Sequence, residues 1–481
     1  MATKTENLQT RPVGRRIPSK KAKPFKAART GGPTARIAGL ASCLHIQHLP
    51  QPVVERAKDL VLDYIGVTLC GAQTPWAQQV RDIVMEDGGK AQSRVFGGSR
   101  LPARAAALAN GAAAHAVELD DTHDESLSHP GAVILSAAFA VAEARACSGS
   151  ELLAAMVAGY EAQCRIGLAL GRALQLAGWH PTATLGVFGA AAAAGNLLGL
   201  TQGQMVSAFG SAGSMASGVM QFTEDPVGTT IKRLHAGLPA ERGVFAAQLA
   251  AKGFAGPHES VEGRWGFAKT FTGVSDLSRM TEALGERYEI ERISVKLYAC
   301  CKLFHSLIEA ISACREDHTF KPEDVLAIEP FGPSHMIDSH MEYRPQSMMA
   351  AQYSLPFVCA VAIMMDPALP ASFSDQAMAD SAVLRMTDRV KPVVDKTLEA
   401  MFPRRFPGGV RIKLRGGTVL SRTVLDSRSS PDLPIGRSEI QEKFLAVTQG
   451  LMSPKRQIRV MEMVTHLDRI AHVGGLAALL R

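Results

Sequence analysis

One strongly polar run between two apolar runs constrains how the middle of this 481-residue chain can fold. Residues 118–131 read ELDDTHDESLSHPG, with five carboxylates and two imidazoles in fourteen positions. The flanking runs, residues 103–117 and 132–144, are rich in alanine and are predicted to be buried helices. Because a buried carboxylate without a partner is costly, such a segment must find counter-charges or water. Its residue types therefore indicate an active site for proton transfer on an acid.

The basic charge of the chain is concentrated at its N-terminus. Residues 1–36 hold ten of the 52 Lys and Arg residues and one of the 45 acidic residues, so the remainder is nearly neutral. This tail is poor in large apolar residues and is expected to be disordered. Only Phe25 interleaves its charges, so we predict no nucleic-acid partner. It lacks the apolar core of a secretory signal, whereas a transit peptide stays open.

Cysteine usage and hydropathy indicate a cytoplasmic protein. The eight cysteines form no CxxC pair, and most lie in apolar helical patterns, as reduced cysteines do. The longest apolar run, residues 183–195, is too short for a membrane span, so no membrane partner is expected.

Periodicity predicts a mainly α fold, an all-helical main domain with an inserted or adjacent smaller α+β domain, which we name the lid domain. Strands are predicted at residues 290–296 and 325–331, and a hairpin at 410–424 turns at Gly416 and Gly417. Pro356 should break a helix at 347–365. The expected divisions are the disordered basic tail at 1–36, a helical segment at 37–275, the lid at 276–431 and a C-terminal helical segment at 432–481.

Four further clusters carry polar side chains inside apolar surroundings: GWH at 178–180, KRLHAG at 232–237, KLYACC at 296–301 before His305, and QYSLP at 352–356. The first two are predicted to precede helices, where anions bind. Taken alone, each cluster also fits a structural interpretation without a function, such as a capping histidine or a solvated pair of surface cations.

A metal site is not predicted in the polar run. His123, Asp124, Glu125 and His129 match neither HExxH nor a zinc spacing.

Together these stretches resemble one family, MmgE/PrpD, which contains 2-methylcitrate dehydratases and cis-aconitate decarboxylases. The resemblance covers the chain from about residue 36 onward and rests on AVELDDTH at 116–123, SHPG at 128–131 and three of the clusters above. The chain departs from many relatives by having Glu118 in place of Asp. It also has one more residue between Thr122 and His129 than the animal decarboxylase, and it is closer to the fungal decarboxylase branch.

The resemblance implies a homodimer that acts on a small polycarboxylate without a metal or an organic cofactor. The catalytic residues that it implies are His129, His180, Lys232, Asp120 and Thr122. The implied substrate-binding residues are Glu118, His305, Tyr353, Arg233 and His235.

The residues are suited to acid–base chemistry beside a carboxylate, because an imidazole can move the proton and fixed cations can stabilise the charge. The leading hypothesis is a cofactor-independent lyase that decarboxylates or dehydrates a di- or tricarboxylic acid. Two alternatives stay open: an epimerase or isomerase of a related acid such as iminodisuccinate, and a catalytically silent protein that binds a polycarboxylate. The sequence does not rank the substrates.

Overall fold

The computed structural model describes residues 31–225, 227, 229–338 and 341–481. Most of the predicted tail, residues 1–30, lies outside the described residues. The tail's expected limit at residue 36 is wrong, because a helix already begins at Pro33, where proline at the first position suits a helix start. Glu262 accepts a hydrogen bond from the Thr34 hydroxyl and fixes this helix to the rest of the molecule.

Helices dominate the fold, as the periodicity predicted. The longer ones in the first part of the chain are Pro33–Cys43 (α1), Gln51–Gly71 (α2), Pro75–Asp87 (α3), Ala103–Ala114 (α4), Pro130–Ala144 (α5), Gly149–Leu176 (α6), Pro181–Leu197 (α7), Gln202–Met215 (α8) and Ile231–Ala251 (α9). The later ones are Phe267–Thr272 (α10), His305–Asp317 (α11), Ser334–Ile337 (α12), Met348–Tyr353 (α13), Leu355–Met364 (α14), Asp375–Ala379 (α15), Ser381–Thr387 (α16), Lys396–Glu399 (α17), Arg437–Val447 (α18), Pro454–Thr465 (α19) and Gly474–Ala477 (α20).

The first hydrophobic core lies among α1 to α9. Helix α7 is at its centre and packs against α5, α6, α8 and α9, because its alanines and glycines allow close approach. Apolar side chains from α18 and α19 belong to this same core, including Phe444 and Val460.

The second core lies between helices and the main sheet. The strands are Ser93–Arg94 (β1), Arg100–Leu101 (β2), Thr122–His123 (β3), Ile293–Ser294 (β4), Val325–Gly332 (β5), Val393–Val394 (β6), Gly408–Leu414 (β7) and Val419–Val424 (β8). The main sheet has the order β6-β5-β7-β8; β5 and β6 are parallel, and the other pairs are antiparallel. Helices α11 and α14 pack with this sheet.

Several local predictions are confirmed and others are wrong. The hairpin turns at Gly416 and Gly417, both with positive φ, and the helix around Pro356 breaks at Ser354. The strand predicted at 290–296 is reduced to β4, because Glu289–Arg292 forms a 3-10 turn before it.

Strand β4 pairs with β3, so it attaches the polar run to the segment that precedes the second core. Among the described helices, none has both the length and the apolar character that a bilayer crossing needs.

Candidate active site

A cavity of about 550 Å³ is lined by side chains from the polar run and from distant parts of the chain. Five of the ten predicted site residues line it: Glu118, Thr122, His129, His180 and Tyr353. The other five, Asp120, Lys232, Arg233, His235 and His305, are buried and do not line it.

Glu118 is held by three cations. One carboxylate oxygen accepts from Lys232 and, at 2.6 Å, from Arg233, and the other accepts from Lys296 at 3.0 Å. Burial alone would raise the pKa of Glu118, but the three cations hold that pKa well below its ordinary value. The left-handed backbone of Glu118, with φ of 56°, turns the chain just after α4 and the short turn that follows it. A charged carboxylate is therefore fixed in the cavity wall.

Lys232 lies behind the cavity wall. Its ammonium bonds Glu118 and lies 5.0 Å from the centroid of the Tyr353 ring, and both of these residues line the cavity. Burial lowers the pKa of Lys232 to about 8, although Glu118 opposes this shift. The prediction that the KRLHAG cluster precedes a helix is wrong, because α9 begins at Ile231 and continues through Pro239. Lys232 thus belongs to the first turn of a long helix.

His129 is oriented by its backbone and by its neighbours. His129 is the residue before α5, and its backbone N–H donates to the Thr182 hydroxyl at 3.0 Å. Its Nδ1 lies 3.1 Å from the Asp121 carbonyl, which can only accept, so Nδ1 carries the hydrogen and Nε2 is the free basic atom. Burial and Lys296 lower the pKa of His129 well below its ordinary value. Burial and Lys296 therefore favour the neutral form of this imidazole.

Asp120 joins the histidines to the cation cluster. Its Oδ2 lies 2.6 Å from His115 Nδ1 and 3.8 Å from His129 Nδ1, and its Oδ1 lies 3.7 Å from the Lys296 ammonium. Burial would raise the pKa of Asp120, but His115 and His129 hold it well below the ordinary value. Asp120 therefore acts on the site through His115, His129 and Lys296 and not by lining the cavity.

His180 and His235 form an imidazole pair. The two Nδ1 atoms are 2.9 Å apart, so one must donate and the other accept. Burial lowers the pKa of His235 to about 4, and burial together with His235 lowers the pKa of His180 well below its ordinary value. Phe222 packs edge-on against the His180 ring, with centroids 5.2 Å apart. Both imidazoles are neutral near pH 7.

Thr122 and Asp124 form a second short polar link in the cavity wall. The Thr122 hydroxyl donates to one Asp124 oxygen, and the Ser294 hydroxyl donates to the other at 2.7 Å. Because β3 pairs Thr122 with Ser294, this link connects the polar run to β4.

His305 is not brought to the cavity. Its ring is fully buried at the start of α11 and packs edge-on against Tyr298, with centroids 5.0 Å apart. Gln352, from the QYSLP cluster, is connected by hydrogen bonds to three of the other segments around the site. Its amide donates to the carbonyls of Val117 and Ala299 at 2.9 Å each and accepts from Arg233 at 3.1 Å. This side chain joins the polar run to both KRLHAG and KLYACC.

The residues considered for a metal have other partners. Glu125 pairs with Arg279 at 2.6 Å and Arg292 at 2.9 Å, and His123 lies 3.4 Å from Glu289. In the part of the chain that the structure describes, no group of three or more His, Cys, Asp or Glu side chains is arranged to hold a metal ion.

Sequence reasoning missed several residues at the site. His115 is the only titratable side chain within residues 105–117, and that isolation in an apolar run was the available signal. Arg172 and Gln175 line the cavity from the last turns of α6, one helical turn apart. Lys302 lines it as well and lies between KLYACC and His305, although it was not predicted as a site residue. His335 also lines the cavity, but it comes from a segment that no motif marked.

Comparisons with known proteins match most of the chain to one family. The model of the MmgE/PrpD N-terminal domain matches residues 35–280, and that of the C-terminal domain matches residues 298–469. A cis-aconitate decarboxylase of Aspergillus terreus (strain NIH 2624 / FGSC A1156) is 31% identical over 476 residues, which cover 93% of this chain and 96% of that protein. The cis-aconitate decarboxylase of Mus musculus is 25% identical over 470 residues, 93% of each chain. The resemblance predicted from the motifs is confirmed, and the chain belongs to the MmgE/PrpD family.

Proposed function

We propose that this lyase decarboxylates a small tricarboxylate, with cis-aconitate as the first candidate, and that it needs neither a metal nor an organic cofactor. The observation that carries the proposal is geometric: His129, Lys296 and the cation-held Glu118 line the same cavity. Lys296, Lys302 and Arg172 are the cations in the lining that can face substrate carboxylates. The relatives named cis-aconitate decarboxylase support the choice of substrate.

Decarboxylation requires a group that stabilises the electron pair left on carbon and a group that donates one proton. When the C–C bond to a carboxylate breaks, carbon dioxide leaves and the electron pair is delocalised into the alkene and the neighbouring carboxylate. Lys296 then stabilises the negative charge, and His129 Nε2 delivers a proton to carbon. A bound anion favours the protonated imidazole, because an opposite charge within about 4–6 Å raises the pKa of histidine. Substrate binding therefore favours the protonated form of His129 that delivers the proton.

Product analysis tests this function against its alternatives. Purified protein is incubated in deuterated water with cis-aconitate, 2-methylcitrate, citrate or iminodisuccinate, and products are followed by NMR. We expect loss of one carboxylate from cis-aconitate and one deuterium in the product. Dehydration of 2-methylcitrate alone would identify a dehydratase. Deuterium exchange without net conversion would identify an epimerase, and binding without either reaction would identify a silent binder.

The proposal extends to assembly and location. We expect a homodimer, as the family resemblance implies, and a cytoplasmic protein, because all eight cysteines are unpaired thiols. Light scattering at micromolar concentration checks the first expectation: a mass of about 103 kDa, twice the 51.3 kDa of one chain, supports it, and 51.3 kDa contradicts it.

A further inference from the structure

A second large cavity, of about 600 Å³, lies beside the first and is lined mainly by arginines. We name it the arginine groove and define it by five side chains, Arg172, Arg279, Arg287, Arg292 and Arg404. Its lining has only two carboxylates, Glu125 and Glu289, so the formal excess is three positive charges. Arg172 also lines the reaction cavity, but the other four arginines do not, and the proposed reaction does not use them.

The arginines are only partly neutralised by the protein. Glu125 pairs with Arg279 and Arg292, and Arg287 pairs with Glu289 at 3.0 Å and with Glu282 at 3.7 Å. Among the described residues, no carboxylate lies within ion-pair distance of Arg172 or Arg404, the latter exposed to solvent. Arg172 and Arg404 can therefore bind an anion that comes from solution.

Arg172 connects the groove to the substrate cavity, because it lines both. It donates to Gln175 at 2.6 Å, and its guanidinium lies 5.3 Å from the centroid of the Phe402 ring. Gln175 in turn lies 3.2 Å from His335 Nε2, and both residues line the cavity. An anion in the groove is thus one side chain away from the reaction site.

We propose that the arginine groove is a capture site for the polycarboxylate substrate outside the reaction cavity. The inference rests on the proposed function for its choice of anion. Guanidinium groups bind carboxylates in pairs of parallel hydrogen bonds, and a cleft lined by one sign of charge raises the local concentration of the opposite ion. Decarboxylation removes one carboxylate as carbon dioxide, so the product has one fewer negative charge than the substrate and binds less tightly to the groove. The groove therefore favours entry of substrate over re-entry of product.

Salt-dependent kinetics test the groove through Arg404, which lies outside the reaction cavity. The Arg404→Gln variant should lower kcat/KM by about 3- to 10-fold in about 20 mM salt, while kcat stays within about two-fold. In about 0.5 M salt the difference should disappear, because the screening length falls to a few ångströms. Arg145→Gln is the matched control, since Arg145 is also exposed, lacks a carboxylate partner among the described residues and lines neither cavity.

Three results would overturn the capture site: unchanged kcat/KM for Arg404→Gln in low salt, the same loss in high salt, or an equal loss for Arg145→Gln. Calorimetry with propane-1,2,3-tricarboxylate, which has no alkene, measures binding without turnover. It therefore tests the capture site independently of the proposed decarboxylation. The Kd should rise for Arg404→Gln and not for Arg145→Gln, even if cis-aconitate is not the substrate. Tighter binding of inorganic phosphate at matched ionic strength would instead make the groove a phosphate site and contradict the inference.

Discussion

At the residue scale, the central feature is a buried carboxylate held by several cations. Glu118 bonds Lys232, Arg233 and Lys296, so removal of one cation leaves the carboxylate charged but displaced. Buried ion pairs add little net stability, yet breaking one is strongly destabilising. We therefore explain the cation cluster by its effect on position: it holds Glu118 and Lys296 in place at the cavity.

Replacement of Lys232 should affect both stability and catalysis. We expect Lys232→Met to lower the free energy of unfolding by about 3 kcal/mol and to reduce kcat, because Glu118 loses its closest counter-ion. Lys232→Arg should restore activity only in part, since a planar guanidinium does not fit the space of an ammonium. Urea unfolding and steady-state kinetics measure both effects. Lys252→Met, at the exposed end of the same helix, is the control, and equal behaviour of the two Met variants would contradict the account.

Proton uptake should accompany substrate binding. Burial and Lys296 depress the pKa of His129, and a bound polycarboxylate should raise it, so we expect the complex to take up a proton near pH 7. The affinity for propane-1,2,3-tricarboxylate should consequently fall as the pH rises. Calorimetry in buffers of different ionisation enthalpy counts the protons. His129→Gln should abolish most of the uptake; equal uptake by this variant would remove His129 from the proposed role.

Three of the predicted residues that line the cavity come from the polar run. Glu118, Thr122 and His129 could be found because charged residues between two apolar helices must be paired or functional. His305 was misplaced because a motif shows which residues are near each other in the chain, not whether a ring faces a cavity or a neighbouring tyrosine. Lys232 reaches Glu118 behind the cavity wall because α9 crosses α4 there. A local sequence pattern cannot predict where two helices cross.

At the element scale, the crossing of α4 and α9 places the cations beside Glu118. Gly111 of α4 and Gly237 of α9 meet there, and a Cβ on Gly237 would lie 2.4 Å from the Leu108 carbonyl oxygen. The KRLHAG cluster was predicted to precede a helix, whereas α9 begins at Ile231 and includes both this cluster and Pro239. A proline in a helix removes one hydrogen bond, but the packing of α9 against α4 and α7 maintains the helix.

A methyl group at this crossing should separate the two helices. We expect Gly237→Ala to lower the free energy of unfolding by about 1–3 kcal/mol, because backbone atoms cannot move away as a side chain can. It should also lower kcat, since Lys232 and Arg233 move with α9. Gly203→Ala in α8 is the control, because nothing lies within 4 Å of its Cβ position. Chemical unfolding of both variants checks this, and an unchanged Gly237→Ala protein would show that the crossing is not tight.

At the scale of the whole molecule, the cavity lies where segments from both cores meet. Arg172 and Gln175 line it from α6, a helix of the first core, and Leu303 and Phe406 line it from the second core. The helical class and the α+β segment could be predicted from periodicity. The juxtaposition of Arg172 with His335 and Phe402 could not, because it depends on how the two cores are placed together.

Metal removal should leave the protein active and folded. The carboxylates and imidazoles of the polar run already have partners, with Glu125 bound to two arginines and Asp120 bound to His115. We therefore expect unchanged kcat and melting temperature after exhaustive dialysis against a chelator. Activity that is lost on chelation and restored by one divalent ion would contradict the assignment of the chemistry to side chains alone.

The most direct test of the account is the yield of carbon dioxide from cis-aconitate, measured for the natural sequence and for His129→Gln. The account predicts one carbon dioxide for each acid consumed, and a kcat about 10²–10⁴-fold lower for a His129→Gln protein whose circular dichroism is unchanged. Consumption of the acid without carbon dioxide, or near-normal turnover by the folded variant, would contradict it.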